Sequence, residues 1–103
     1  MRTITESQIE SWLGKQLKKM GCLYYKFVSP GNDGVPDRII VLPGGHVIFA
    51  ELKTDCGQTT PLQDRQQRKL ACKGADVQLI IGMDSAERLA KKIKERLEKP
   101  YGV

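Results

Sequence analysis

The chain has 103 residues, 40% apolar and 28% charged, with 17 Lys and Arg against 12 Asp and Glu for a net charge of +5. This balance suits one soluble globular domain over residues 1–103. It excludes a disordered tail, a collagen-like repeat and a membrane span, since no stretch nears the roughly 18 uncharged apolar residues that a crossing helix needs.

The opening MRTITESQIE lacks the apolar core of a signal peptide, so a cytoplasmic location is expected. Thr5 and Gln8 have the spacing of a capping box, and Ile9, Trp12, Leu13, Leu17 and Met20 recur at helical spacing until Gly21 stops the run. Glu6 lies at the mouth of that helix. Residues 22–28 (CLYYKFV) are aromatic and β-branched enough for a strand. Residues 29–36 (SPGNDGVP) are nearly all turn formers, whose glycines allow either movement or close backbone approach.

Two apolar runs, 38–42 (RIIVL) and 46–52 (HVIFAEL), flank Pro43-Gly44-Gly45 and read as a hairpin. After a loop at 55–59, Thr60-Pro61 pairs a cap residue with a proline at the first helical position. That helix is expected to run to about Lys73, with Leu62, Gln66 and Leu70 in line, and to stop at Gly74. Residues 76–81 (DVQLII) form a further strand. A last helix, capped by Asp84 or Ser85, carries Leu89, Ile93 and Leu97, with a frayed tail at 100–103. A strand returning through a helix implies one parallel pairing, hence an α/β fold with a mixed sheet.

Cys22, Cys56 and Cys72 are odd in number and widely spaced, which suits reduced thiols rather than a zinc or redox pair. His46, the one histidine, stands beside a Gly-Gly turn, a poor place for a buried base. Any catalysis would therefore use carboxylates, lysine and a metal. The basic balance fits a polyanionic partner without specifying one.

Glu51 and Lys53 are two apart on a strand and share a face. If Pro43, Gly44 and Gly45 form a three-residue loop, Leu42 opposes His46, and counting back along both arms places Asp37 opposite Glu51. Facing carboxylates repel unless a cation lies between them. With the backbone carbonyl of Leu52 and several waters they would make an octahedral Mg²⁺ or Mn²⁺ site, beside which Lys53 could activate an attacking water or stabilise charge on a phosphate. A two-residue loop would shift the register and send Asp37 to the other face, leaving surface salt bridges instead. Arg65, Arg68, Lys69 and Lys73, on the helix bordering this centre, are candidate phosphate contacts, as is Asn32 in the loop leading into Asp37.

Gly34-Val35-Pro36-Asp37-Arg38, then Glu51-Leu52-Lys53, then Thr60-Pro61-Leu62-Gln63 opening a helix, resemble the VRR-NUC (virus-type replication-repair nuclease) family of the PD-(D/E)xK superfamily. The αβββαβ order, with its C-terminal helix, is similar to the restriction-endonuclease-like core of that superfamily. The resemblance implies metal-dependent DNA cleavage, with Asp37 and Glu51 as metal ligands and Lys53 as the catalytic lysine. Gln63 would orient the lysine, a water or a phosphate, the alternative being a capping box with Thr60, and Glu6 would serve a second metal or its water, the alternative being a charge that suits the helix N-terminus. Small stand-alone members are associated with homodimers acting on four-way (Holliday) junctions, and so with DNA repair. Alternatives are a flap or fork nuclease and a non-catalytic DNA-binding or recruitment module on the same fold.

Overall fold

The even-numbered residues of the central strands and the apolar stripes of two helices build one core, and everything else is arranged around it. The computed structural model describes residues 4–99, so the tail expected at 100–103 lies outside the described residues. In chain order the elements are α1 (Glu6–Lys19), β1 (Leu23–Lys26), β2 (Arg38–Val41), β3 (Val47–Lys53), α2 (Pro61–Cys72), β4 (Asp76–Ile81) and α3 (Gly82–Glu98). The strands form one mixed sheet in the order β1-β2-β3-β4, antiparallel except for the parallel β3–β4 pair. The parallel pairing follows from α2, which returns the chain to the start of β4.

Both expected capping boxes are present: Thr5 with Gln8 on α1, and Thr60 with Gln63 on α2. Ile9, Leu13 and Leu17 of α1 and Ala86, Leu89, Ala90 and Ile93 of α3 are buried against Ile40, Leu42, Ile48, Ala50, Leu52 and Ile80. Alternation along the strands therefore gives this face to the core and turns the odd-numbered residues to the other side. That second face is apolar and incompletely covered: Leu23, Tyr25, Leu79 and Ile81 are exposed, Tyr25 by 56%.

Three expectations need correction. The first strand is shorter than 22–28, because Cys22 is buried in the core and only Leu23–Lys26 run alongside β2. The last helix is not capped by Asp84 or Ser85. The chain turns from strand to helix at Gly82, and Asp84 sits in the first turn, where its charge suits the helix dipole. A Cβ at Gly82 would overlap the Asp55 carboxylate, and its φ of +76° disfavours any other residue.

The stripe expected on α2 buries nothing. Leu62 is exposed and Leu70 only half-buried, while Gln63 and Gln66 of the helix reach Glu51 and the Asp33 carbonyl. His46, which the sequence places only beside the turn, gains a partner across the sheet. It is half-buried, and its Nε2 lies 2.7 Å from Asp76 Oδ2, pinning β3 to β4. Burial alone would raise the Asp76 carboxyl, but its hydrogen bonds with His46 and Gln78 outweigh that and hold it below the usual carboxylate range. Cys22, Cys56 and Cys72 are all free thiols, and burial pushes Cys22 up.

Candidate active site

The hairpin sets the site's geometry. The Leu42 N–H donates to the His46 carbonyl (2.9 Å), so the turn has three residues and the register is Arg38 with Ala50 and Ile40 with Ile48. Hydrogen-bonded and non-hydrogen-bonded pairs alternate in an antiparallel ladder. Counted from Leu42–His46, Arg38–Ala50 is a hydrogen-bonded pair and the last of the ladder, and Asp37 and Glu51 are the next residue on each arm, near enough for the Asp37 charge to act on Glu51. The Asp37 carbonyl points the other way and accepts the Phe27 N–H at 2.9 Å. Continued two steps beyond the ladder, the same register would set Leu52 against Pro36, which has no N–H to offer its carbonyl.

Glu51 is the one buried charged side chain among the described residues, only 4% exposed. Lys53 Nζ lies 3.5 Å from its Oε2, and Gln63 Nε2 donates to the same oxygen at 3.4 Å. Gln63 thus has two roles on α2: its backbone and Oε1 complete the capping box with Thr60, while its amide nitrogen reaches across to β3. Asp37 Oδ1 is buried with no hydrogen-bond partner.

Burial raises the Asp37 carboxyl above the ordinary range, with Arg38 opposing it and the negative charge of Glu6 adding to it. Burial likewise raises Glu51, helped by the charge of Asp37 and opposed by Lys53. Two carboxylates each raised partly by burial, one of them also by its neighbour's charge, are short of positive charge.

This donor set suits a hard divalent cation. The oxygens are two carboxylates, one with an orphaned atom, and a main-chain carbonyl lacking its ladder donor. Among the described residues no three His, Cys, Asp or Glu side chains converge as a closed cage, so further positions would fall to water, as Mg²⁺ prefers.

Of the sequence-derived candidates, Asp37, Glu51, Lys53 and Gln63 are brought together. Glu6, in the first turn of α1, is exposed and forms no hydrogen bond or ion pair among the described residues, yet stands close enough for its charge to act on Asp37. Arg65, Arg68, Lys69 and Lys73 are all exposed; Arg68 and Lys69 lie three and four residues after Arg65 and Lys73 four after Lys69, forming a basic stripe along α2 and its C-cap. Asn32 is exposed, with its amide engaged in a turn by donating to Ser29 Oγ at 2.9 Å.

Of the two possibilities for the loop at 29–36, close approach is the one realised. Gln66 Nε2 donates to the Asp33 carbonyl at 3.1 Å, and a Cβ on Gly34 would lie 3.0 Å from the backbone of Leu62. With φ at +87°, Gly34 lets the loop lie flat on α2, which carries Gln63 toward the strand pair. Gly34→Ala should therefore destabilise the chain by at least about 1–2 kcal/mol, a fall in Tm of roughly 4 °C or more by thermal melting.

No family model matches the chain. It is 43% identical over 84 residues to "Putative nuclease p44" of Acyrthosiphon pisum secondary endosymbiont phage 1, spanning 82% of this chain and 90% of that protein. A solved structure described as "VRR_NUC domain" superposes with a TM-score of 0.76 at 25% identity, over 84% of this chain and 94% of that one. Another, "VRR_NUC domain protein", shares the fold with a TM-score of 0.70 at 17% identity over 92% of each chain.

Proposed function

The chain belongs to the VRR-NUC family of nucleases, and from that premise we propose that it is a divalent-metal-dependent endonuclease acting on branched DNA, with four-way junctions as the substrate and two copies as the working unit. The observation that carries this reading is the opposed Asp37–Glu51 pair, with an unpartnered buried oxygen on Asp37 and a lysine 3.5 Å from Glu51.

In this reading Asp37, Glu51 and the Leu52 carbonyl hold Mg²⁺ or Mn²⁺. The cation would supply Lewis-acid polarisation of the phosphate and stabilise the leaving oxygen. Lys53, fixed by Glu51, moves a proton from the attacking water or neutralises charge gathering on the phosphate. Gln63 keeps the Glu51 carboxylate in place. Glu6 stands at the mouth, where its charge would act on a second cation or its water. The stripe of Arg65, Arg68, Lys69 and Lys73 tracks the phosphate backbone, and Asn32 adds a neutral contact from the loop.

Symmetric cutting of a junction needs two sites related by a two-fold axis. Exposed apolar side chains on the edge strands, Leu23 and Tyr25 on β1 and Leu79 and Ile81 on β4, support a dimer, because burying them against a second copy would remove them from water. Tyr25→Asp should shift the mass measured by light scattering from two copies to one. It should also turn paired cuts into single nicks. A wild-type mass of one copy would remove the dimer from this reading.

The decisive assay offers four-way junction, fork, flap, nicked and linear DNA, each with Mg²⁺, Mn²⁺ or EDTA. Paired symmetric cuts in the junction, absent with EDTA, are expected. Cuts confined to forks or flaps would keep the chemistry and change the substrate. Tight binding without cutting under either metal would make the chain a recruitment module instead.

A further inference from the structure

The residue after Asp37 is a half-buried arginine that the proposed chemistry does not use. Arg38 turns its side chain to the core face of the sheet, where it is 11% exposed. Its Nη2 pairs with Glu10 Oε2 of α1 at 2.5 Å, and its Nη1 donates to the Asp37 carbonyl at 2.9 Å. That carbonyl also accepts the Phe27 N–H, so the Asp37 peptide is gripped from β1 and from the guanidinium together. Glu10 lies one helical turn after Glu6 on the same side of α1.

The Glu10 side chain keeps 35% of its surface in water, so the pair is screened and adds little stability, while desolvating the guanidinium offsets part of the attraction. What an arginine adds is a planar fork able to bind two acceptors in fixed directions, which a lysine cannot copy. Here the two acceptors belong to different elements. One is the helix carrying Glu6 and the other is the peptide of Asp37.

We propose that Arg38 is a positioning residue for the cation site: by bridging Glu10 and the Asp37 carbonyl it fixes the Asp37 carboxylate opposite Glu51 and holds the first turn of α1, with Glu6, at the mouth of the site. The proposal rests on the reading of Asp37 and Glu51 as metal ligands.

The test is the double variant Glu10→Met with Arg38→Met in the full chain, read by thermal melting, by calorimetric Mn²⁺ binding and by junction cleavage. Melting should stay near wild type, since a partly exposed pair adds little stability. Mn²⁺ affinity and cleavage rate should each fall by about 10–100-fold, the usual effect of removing a group that orients a metal ligand. Arg38→Lys, which keeps a charge for Glu10 but not the fork, should lie between. If the double variant does not fold, Arg38→Lys decides: wild-type Mn²⁺ affinity in that variant overturns the proposal. Wild-type Mn²⁺ affinity in a folded double variant overturns it too, making the pair a staple between α1 and the sheet. Mn²⁺ binding by the wild-type chain without cleavage of any DNA would overturn the nuclease reading while leaving the Arg38 effect measurable. No Mn²⁺ binding by the wild-type chain would overturn both.

Discussion

Lys53→Ala is expected to slow strand cleavage by about 10²–10⁴-fold, the range for losing a proton-transfer group or a preorganised charge at the reacting centre. DNA binding should change by less than about threefold, because a phosphate contact contributes one increment among several. The structure explains the split. The Lys53 side chain is only 18% exposed and is tied to Glu51, so it is placed for the reacting phosphate and not for tracking the backbone. Binding and single-turnover cleavage of one junction, measured side by side, check this. Lys53→Arg separates the two possible roles. Arginine keeps the positive charge but does not give up a proton, so a partial rate would assign charge stabilisation and a full loss would assign proton transfer. Undiminished cleavage by Lys53→Ala would remove the lysine from the mechanism.

Asp37→Asn is expected to abolish cleavage and, more informatively, to abolish stabilisation by metal. A ligand that binds only the folded chain adds about 2.7 kcal/mol at 100 times its Kd, roughly 10–20 °C in Tm for a chain of this size. The wild type should show a shift of that order with Mn²⁺ and the variant almost none.

The pH dependence without metal follows from the raised carboxyls of Asp37 and Glu51. A carboxyl whose pKa is higher folded than unfolded makes the folded chain bind more protons across that interval. Stability therefore falls as pH rises from the ordinary carboxylate values, 3.8 for Asp and 4.5 for Glu, through the raised ones. Asp37→Asn removes one of the two charges that must be held apart. Without metal, it should melt above wild type at pH 7, and the gap should close toward pH 4, where Asp37 is already being neutralised. A gap that stays constant with pH, or reverses, would mean that the facing carboxylates are not under the strain described. An undiminished Mn²⁺ shift in the variant would take Asp37 out of the metal site.

Much of the site was legible before any coordinates because it depends on parity. A three-residue turn at Pro43-Gly44-Gly45 determines which residues oppose one another, and strand alternation determines which face they share. The capping boxes of Thr5 and Thr60 were legible for the same reason: a side chain and a backbone N–H three residues apart meet wherever a helix begins. Gln63 shows where such reasoning stops. Its cap role and its possible role in the site looked like alternatives along the chain, yet the structure has both, since one amide offers an oxygen to the cap and a nitrogen to Glu51.

The features missed are those in which partners are remote in sequence and either could have chosen another. His46 and Asp76 are separated by 30 residues and meet only because β4 runs parallel beside β3. Gly34 fits its loop only because Leu62 of α2 lies against it. The early start of α3 reflects a strand that leads straight into a helix through a glycine turn, with no polar cap to announce it.

By itself, then, the sequence determined the element order, the hairpin register, and the convergence of Asp37, Glu51 and Lys53 on one face, because each follows from short-range periodicity and one turn length. Tertiary structure alone decided how deeply Glu51 is buried, that Asp37 Oδ1 is left without a partner, that Gln63 reaches Glu51 and that Arg38 bridges Glu10 to the Asp37 carbonyl. Those depend on how helices dock on the sheet, a matter of whole-surface packing that no local spacing encodes.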